Sequence, residues 1–277
     1  MMKRWGKRLS RIRGIILIIL CLSQVMPSVV WADGVSARAA IFSNSTRGVR
    51  YYGKNIHTRV PPASTTKVMT ALLVMENLSL NKVVTVRSSA INVQPTKLGV
   101  RPGERFRVAD LLYAVLMNSA NDASIVLAEE VAGSEKAFVE MMNRRARQLG
   151  AKHTKFINSN GLPSKGRTQY TTAYDMYLMF REALKYPFFR QVVACRYKTI
   201  RSLEGRSFAL KNHNKILFFE WQQKLYGKTG YTRAAKQCFV GYTTKGKNDI
   251  CIIAVFGATR RWEDIKHIVS KYGGIEL

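Results

Sequence analysis

The chain of 277 residues predicts an α+β fold, an antiparallel sheet made from N- and C-terminal strands with a separate helical layer. Three observations lead there. Apolar, strand-like runs stand at both ends: "ARAAIFS" (Ala37 to Ser43) near the start, "CFVGYTT" and "DICIIAVFGAT" near the finish. Between them lie segments whose apolar residues recur with the 3.6-residue period of helices. Neither a βαβα alternation nor a GxGxxG turn is present, so nothing favours a parallel, dinucleotide-binding sheet. A composition of 47% hydrophobic and 22% charged residues suits a real core and argues against disorder.

The first 32 residues stand apart. Lys3, Arg4, Lys7, Arg8, Arg11 and Arg13 form a basic start without an acid, "GIILIILCL" (Gly14 to Leu22) follows, and Val30-Trp31-Ala32 ends the stretch. This is the three-part pattern of a secretory signal. Ser23, Gln24 and Pro27 interrupt the apolar run, which favours a cleaved leader over a membrane anchor. The expectation is a signal peptide at 1–32 and one exported domain at 33–277 without an additional C-terminal domain, in the periplasmic or cell-wall space or peripheral to the membrane.

Without those six cations, the 45 lysines and arginines fall to 39 against 17 acids, a formal charge of +22. In an exported protein such a charge meets anionic cell-wall polymers or lipid headgroups, and no nucleic acid is expected. Of the four cysteines, Cys21 falls in the expected leader; the remaining Cys195, Cys238 and Cys251 show no CxxC or zinc spacing, and their odd count is no disulfide scaffold. His57, His153, His213 and His267 show no ligand spacing; no metal and no cofactor are expected.

Along the mature chain, Ala37–Ser43 and Val49–Gly53 flank "NSTRG" and read as a strand pair. "PPASTTKVMTALLVME" follows, with Val68, Leu72 and Met75 on one helical face and the two prolines confined to the loop ahead of it. Ser79–Ala90 reads as extended or mixed. Helices are expected over 107–117, 122–133 and 134–150, the last capped by Ser134. A Gly-, Ser-, Pro- and Asn-rich loop spans 158–171, and a helix spans 172–184. The last third carries the runs "KLYGKTGYT", "CFVGYTT" and "DICIIAVFGAT", and "RRWEDIKHIVSKY" closes as a helix.

Three short motifs carry chemistry. Ser64-x-x-Lys67 puts a hydroxyl and an amine one turn apart at a helix start. Serine attacks only if something takes its proton, and a lysine can do so only when neutral, far from its free pKa of about 10.4. Burial, other cations and a helix N-terminus favour the neutral form. Alone, S-x-x-K is weak, and Ser79-Leu80-Asn81-Lys82 repeats the spacing without a Pro-Pro loop. Ser119-Ala120-Asn121 sits in the break between two helices. It is either a turn capped by Asp122 or a proton relay with an amide to hold substrate. Lys228-Thr229-Gly230 lies in a strand-like run. It is either an edge strand carrying a lysine or a carboxylate-binding pair beside a glycine that admits close approach.

The order S-x-x-K, S-x-N, K-T-G is that of penicillin-binding proteins and serine β-lactamases. Together with "LGVRPGERFRVADLLYAVLMNSANDASIVLAEEVAGS", "LGAKHTKFINSNGL" and "YGKTGYTRAAKQCFVGYTT", it resembles the D-alanyl-D-alanine carboxypeptidase family, the low-molecular-mass penicillin-binding proteins, from Ala37 to about Ala258. The resemblance implies the penicillin-binding protein/β-lactamase-like transpeptidase fold and a serine-type D-Ala-D-Ala carboxypeptidase acting on peptidoglycan stem peptides, with β-lactam antibiotics as acylating inhibitors. It makes Ser64 the nucleophile and Lys67 the general base, with Ser119 and Asn121 assisting proton transfer and positioning. Lys228 and Thr229 would hold the substrate carboxylate beside Gly230, and the N–H groups of Ser64 and Tyr231 would form the oxyanion hole.

Two other features resemble only part of the family. The "NHN" segment places His213 where some members carry an arginine, and the short stretch after the last strand resembles the endopeptidase-type members that cut cross-links. A DD-endopeptidase is therefore the alternative, and a non-catalytic cell-wall-binding protein is a weaker one. A class A β-lactamase would need a Glu-x-x-x-Asn after Asn121, which the sequence lacks.

Overall fold

Strand β1 (Ala39–Asn44) pairs with β9 (Asp249–Ala258) from Ala39 opposite Phe256 to Asn44 opposite Cys251. The two ends of the chain thus share one sheet, as the sequence predicts. The computed structural model describes residues 33–94, 96–164 and 166–277; the expected signal peptide lies outside the described residues. Residues Val35–Leu277 form one compact unit.

The central sheet is antiparallel with the order β2-β1-β9-β8-β7. Here β2 is Val49–Lys54, β7 is Tyr226–Thr232 and β8 is Lys236–Lys245. Period-two alternation sends Ala39 and Ile41 into one core and Ala40 and Phe42 into another. The sheet is therefore buried on both faces, which explains why its strands read as continuous apolar runs. The closing helix, Arg261–Gly273, covers the second face through Ile265, Ile268 and Val269. This refines the expectation of one helical layer: the last helix lies across the sheet from the others.

The larger body gathers around α1 (Lys67–Asn77), whose residues from Lys67 through Val74 are all buried. A helix apolar on all sides belongs in a core; truncating Leu72, fully buried, to alanine would cost about 2–5 kcal/mol. Packed around it are α2 (Val108–Met117), α3 (Asn121–Ala132), α4 (Glu135–Gln148) and α5 (Ala173–Ala183). Ser134 caps α4 by accepting from the Ala137 N–H, and Gly133, in the left-handed region, ends α3.

Several elements go beyond the sequence reading. Ser79–Ala90 contains the short strand β3 (Val83–Thr85), paired with β4 (Arg105–Arg107), and the start of a 3-10 turn. Helix α6 (Pro187–Ala194) and the hairpin β5 (Tyr197–Arg201) with β6 (Ser207–Lys211) fill a region for which the sequence pattern predicts no element. The closing helix is hereafter α7.

Candidate active site

The nucleophile candidate stands at a junction. Ser64 lies in a 3-10 turn, Ala63–Thr66, that runs directly into α1, so Lys67 is the first α-helical residue rather than a residue one turn inside the helix. Ala63 takes a positive φ of 47°. The turn is clamped from two sides. A Cβ on Gly161 would fall 1.9 Å from the Ala63 carbonyl oxygen, and one on Gly230 would meet the Ser64 nitrogen at 3.1 Å. Gly230 therefore lets strand β7 close on the serine turn itself.

Lys67 is fully buried. Its Nζ lies 2.7 Å from Asn121 Oδ1, 2.7 Å from the Asn160 carbonyl and 3.2 Å from Ser64 Oγ. Two of these partners can only accept. A neutral amine has two N–H groups for them and one lone pair left, which then faces the Ser64 hydroxyl. Burial first, and the Lys228 charge second, hold the Lys67 amine well below the ordinary lysine range, against an opposing pull from Asp122.

Asn121 opens α3 and is buried. Its Nδ2 donates to the Gln94 carbonyl at 3.0 Å and its backbone N–H to the Thr96 carbonyl at 2.8 Å, so the amide cannot turn away from Lys67. Of the two readings of this break, the one with Asp122 as helix cap does not hold: that position belongs to Ala120. Its buried carboxylate instead accepts from the N–H groups of Leu98, Gly99, Val100 and Ala123, fixing the loop ahead of β4.

Ser119, at φ 59°, takes the left-handed conformation that costs a non-glycine residue about 1 kcal/mol or more. Its Oγ accepts from Lys228 Nζ at 3.0 Å, and Lys228 also donates to the Thr229 carbonyl at 3.0 Å. Burial, and then the Arg261 charge, push the Lys228 amine down to about 7. Thr229 is buried and Tyr231 is 66% exposed at the open edge of β7. The structure thus brings Ser64, Lys67 and Asn121 into one hydrogen-bonded group, joins Ser119 to Lys228, and sets Gly230 against the serine turn.

Four further groups belong to this arrangement and were absent from the sequence-derived site. The Asn160 carbonyl comes from the "NSNG" turn, which Asn158 Oδ1 and Asn160 Oδ1 hold by accepting from Gly161 and Leu162 N–H. Backbone oxygens leave no residue-type signal. Asp122 could be found as an acid inside an apolar helix. Arg261 Nη1 donates to the Gly230 carbonyl at 3.2 Å and the Cys238 carbonyl at 2.8 Å, steadying β7 from the start of α7. His213 is tied by its N–H to the Met117 carbonyl at 3.0 Å. Partial desolvation, then the charges of Lys228 and Lys67, lower its imidazole to about 4.

What the group can do is acyl transfer: a hydroxyl, an amine held well below the ordinary lysine range beside it, and a second buried lysine at the edge of an open strand. Comparison with known proteins agrees. The family model described as D-alanyl-D-alanine carboxypeptidase matches residues 26–260. The D-alanyl-D-alanine carboxypeptidase DacF of Bacillus subtilis is 36% identical over 229 residues, 80% of this chain and 58% of that protein; the chain thus spans less than two thirds of that relative. A D-alanyl-D-alanine endopeptidase of Pseudomonas aeruginosa is 28% identical, over 83% of this chain and 75% of its own length. Among solved structures, a D-alanyl-D-alanine carboxypeptidase from Mycobacterium tuberculosis superposes with a TM-score of 0.79 at 29% identity, covering 87% of this chain and 91% of that one. By its matched length, its fold and its relatives, the chain belongs to the D-alanyl-D-alanine carboxypeptidase family of penicillin-binding proteins.

Proposed function

We propose that the protein is a serine-type DD-carboxypeptidase of peptidoglycan stem peptides, working through an acyl-enzyme on Ser64. The observation that carries this reading is the fully buried Lys67 amine, which lies 2.7 Å from both Asn121 Oδ1 and the Asn160 carbonyl oxygen and 3.2 Å from Ser64 Oγ. Ser64 Oγ attacks the carbonyl carbon of the penultimate D-Ala as its proton passes to Lys67 Nζ. The Ser64 and Tyr231 N–H groups receive the oxyanion. The C–N bond then breaks, the departing nitrogen takes up a proton from the Lys67, Ser119 and Lys228 group, and terminal D-Ala leaves. Water hydrolyses the ester and restores Ser64. Lys228 and Thr229 bind the substrate carboxylate, and β-lactams acylate the same serine.

Residues 1–32 export the chain as a cleaved leader, residues 33–277 work as one DD-peptidase domain in the periplasmic or cell-wall space, and the basic surface meets anionic wall polymers or lipid headgroups. The test is release of D-Ala from diacetyl-Lys-D-Ala-D-Ala by the purified protein, alongside labelling by a fluorescent penicillin. Release and labelling that vanish in Ser64→Ala support the reading. Labelling that persists in that variant rejects Ser64, and no turnover of any DD-peptide leaves only wall binding. The similarity to a D-alanyl-D-alanine endopeptidase supports a second reading, cleavage of cross-links by the same residues.

A further inference from the structure

The fold brings His57 and His153 together, although nothing in their sequence spacing joins them. Their ring centroids lie 6.5 Å apart at an interplanar angle of 66°, and both residues are exposed. Both are anchored on the first turn of α5. The Ile56 carbonyl, next to His57, accepts from the Tyr174 N–H at 3.0 Å, and the His153 N–H donates to Asp175 Oδ2 at 2.8 Å. Asn55, at φ 48°, starts the turn that carries His57, and the Thr58 N–H closes it on the Asn55 carbonyl at 2.9 Å. The His57 ring also stands edge-on to Tyr174, with centroids 5.2 Å apart. Consecutive residues of one helix thus hold two backbones from distant parts of the chain. A ligand shared by the two rings then has little left to order.

The geometry suits one metal ion. Zn–N bonds run about 2.0–2.1 Å, so two imidazoles on one ion place their centroids about 5–6 Å apart. Side-chain rotation of two exposed rings closes the remaining gap. The chemistry is selective: imidazole suits zinc, nickel and copper, whereas magnesium and calcium need oxygen ligands. The Asp175 carboxylate beside the pair is buried, and its Oδ2 already accepts from the His153 N–H and the Thr154 hydroxyl. Among the described residues no group of three or more His, Cys, Asp and Glu could hold a metal ion. A site here therefore has two protein ligands, with water in the other positions.

We propose that His57 and His153 bind one late first-row divalent metal ion, zinc, nickel or copper, through one ring nitrogen each. The ion ties the approach to the serine turn to the loop after α4. Just beyond His57, Val60 exchanges two hydrogen bonds with Thr171, at 2.8 and 2.9 Å, and the chain then enters Pro61-Pro62-Ala63-Ser64. Such binding is independent of the acyl-transfer reading and adds a clamp behind the nucleophile. Arg59 and Lys152 stand near the pair in sequence and are exposed; their repulsion of a cation weakens with salt, so affinity is measured at about 0.15 M ionic strength.

The test is calorimetric titration of the untagged full-length protein with Zn²⁺, Ni²⁺ and Mg²⁺, alongside the single variants His57→Gln and His153→Gln. The expected result is one zinc or nickel ion per chain, binding about tenfold or more weaker in either variant, and no binding of Mg²⁺. Imidazole NMR of the unaltered protein gives a second readout that no variant's folding can spoil. Addition of Zn²⁺ should move two histidine ring signals, those of His57 and His153, and leave those of His213 and His267 in place. Absence of zinc binding, an affinity unchanged in both variants, or movement of His213 or His267 in place of the pair overturns the proposal and leaves His57 and His153 as a plain aromatic contact.

Discussion

The Lys67 amine donates to the side-chain oxygen of Asn121 at 2.7 Å, across 54 positions of sequence. That contact, with the Asn160 carbonyl, decides which way the amine's remaining valence points. Replacing Asn121 by aspartate keeps the shape and adds an anion. An anion stabilises the ammonium and raises the Lys67 pKa. Acylation needs the neutral amine, so its rising limb with pH moves to more alkaline values in Asn121→Asp. Stopped-flow acylation by a fluorescent penicillin across pH 5–10 reads this shift, and an unmoved limb contradicts the assignment of Lys67 as base.

Lys67→Arg keeps a long cationic side chain but cannot lose its proton under working conditions. The acylation rate should fall by about 10²-fold or more, the usual contribution of a general base, while the fold persists by circular dichroism. A near-normal rate would transfer the base's role to another group.

Lys228 is pushed down to about 7 in the folded protein from an ordinary 10.5. Between those values the unfolded chain binds the extra proton, so stability contributed by this group rises with pH through that window and the cost is fully felt below it. Lys228→Met removes the buried ammonium. Thermal unfolding should show the unaltered protein gaining Tm from pH 7 to pH 9 relative to this variant. At pH 7 the variant should be the more stable, by roughly 5 °C, though inactive. Parallel Tm curves for the two proteins would show that Lys228 does not titrate there.

Gly161 combines φ +87° with a would-be Cβ 1.9 Å from the Ala63 carbonyl oxygen. Gly161→Ala should displace the serine turn, slow acylation and destabilise the fold by about 2 kcal/mol or more. Gly103 has φ +81° and nothing within 4 Å of its would-be Cβ, so Gly103→Ala should cost only about 1 kcal/mol and leave acylation intact. Urea unfolding and penicillin acylation of both variants check the contrast.

The sequence foretold what rests on side-chain type repeated along an element. The pairing of β1 with β9 was legible because both strands are buried on two faces and read as unbroken apolar runs. Hairpin β5–β6 was not, since four of the five β5 residues are exposed and little apolar patterning remains. Helix α6 carries Pro187 in its first turn, a start signal that eight residues are too few to make persuasive. Within the site, Ser64, Lys67, Ser119, Asn121 and Lys228 announced themselves through spacing. The Asn160 carbonyl did not, because a backbone oxygen has no letter of its own. The reversal of Asp122 from helix cap to loop anchor depends on where residues 98–100 return in space.

The most direct measurement is the titration of Lys67 itself, by ¹³Cε–¹⁵Nζ NMR of lysine-labelled protein with the signal assigned by its loss in Lys67→Arg. A midpoint well below the ordinary lysine value of 10.5 is the predicted result. A Lys67 amine that remains protonated until the ordinary lysine range would contradict the account.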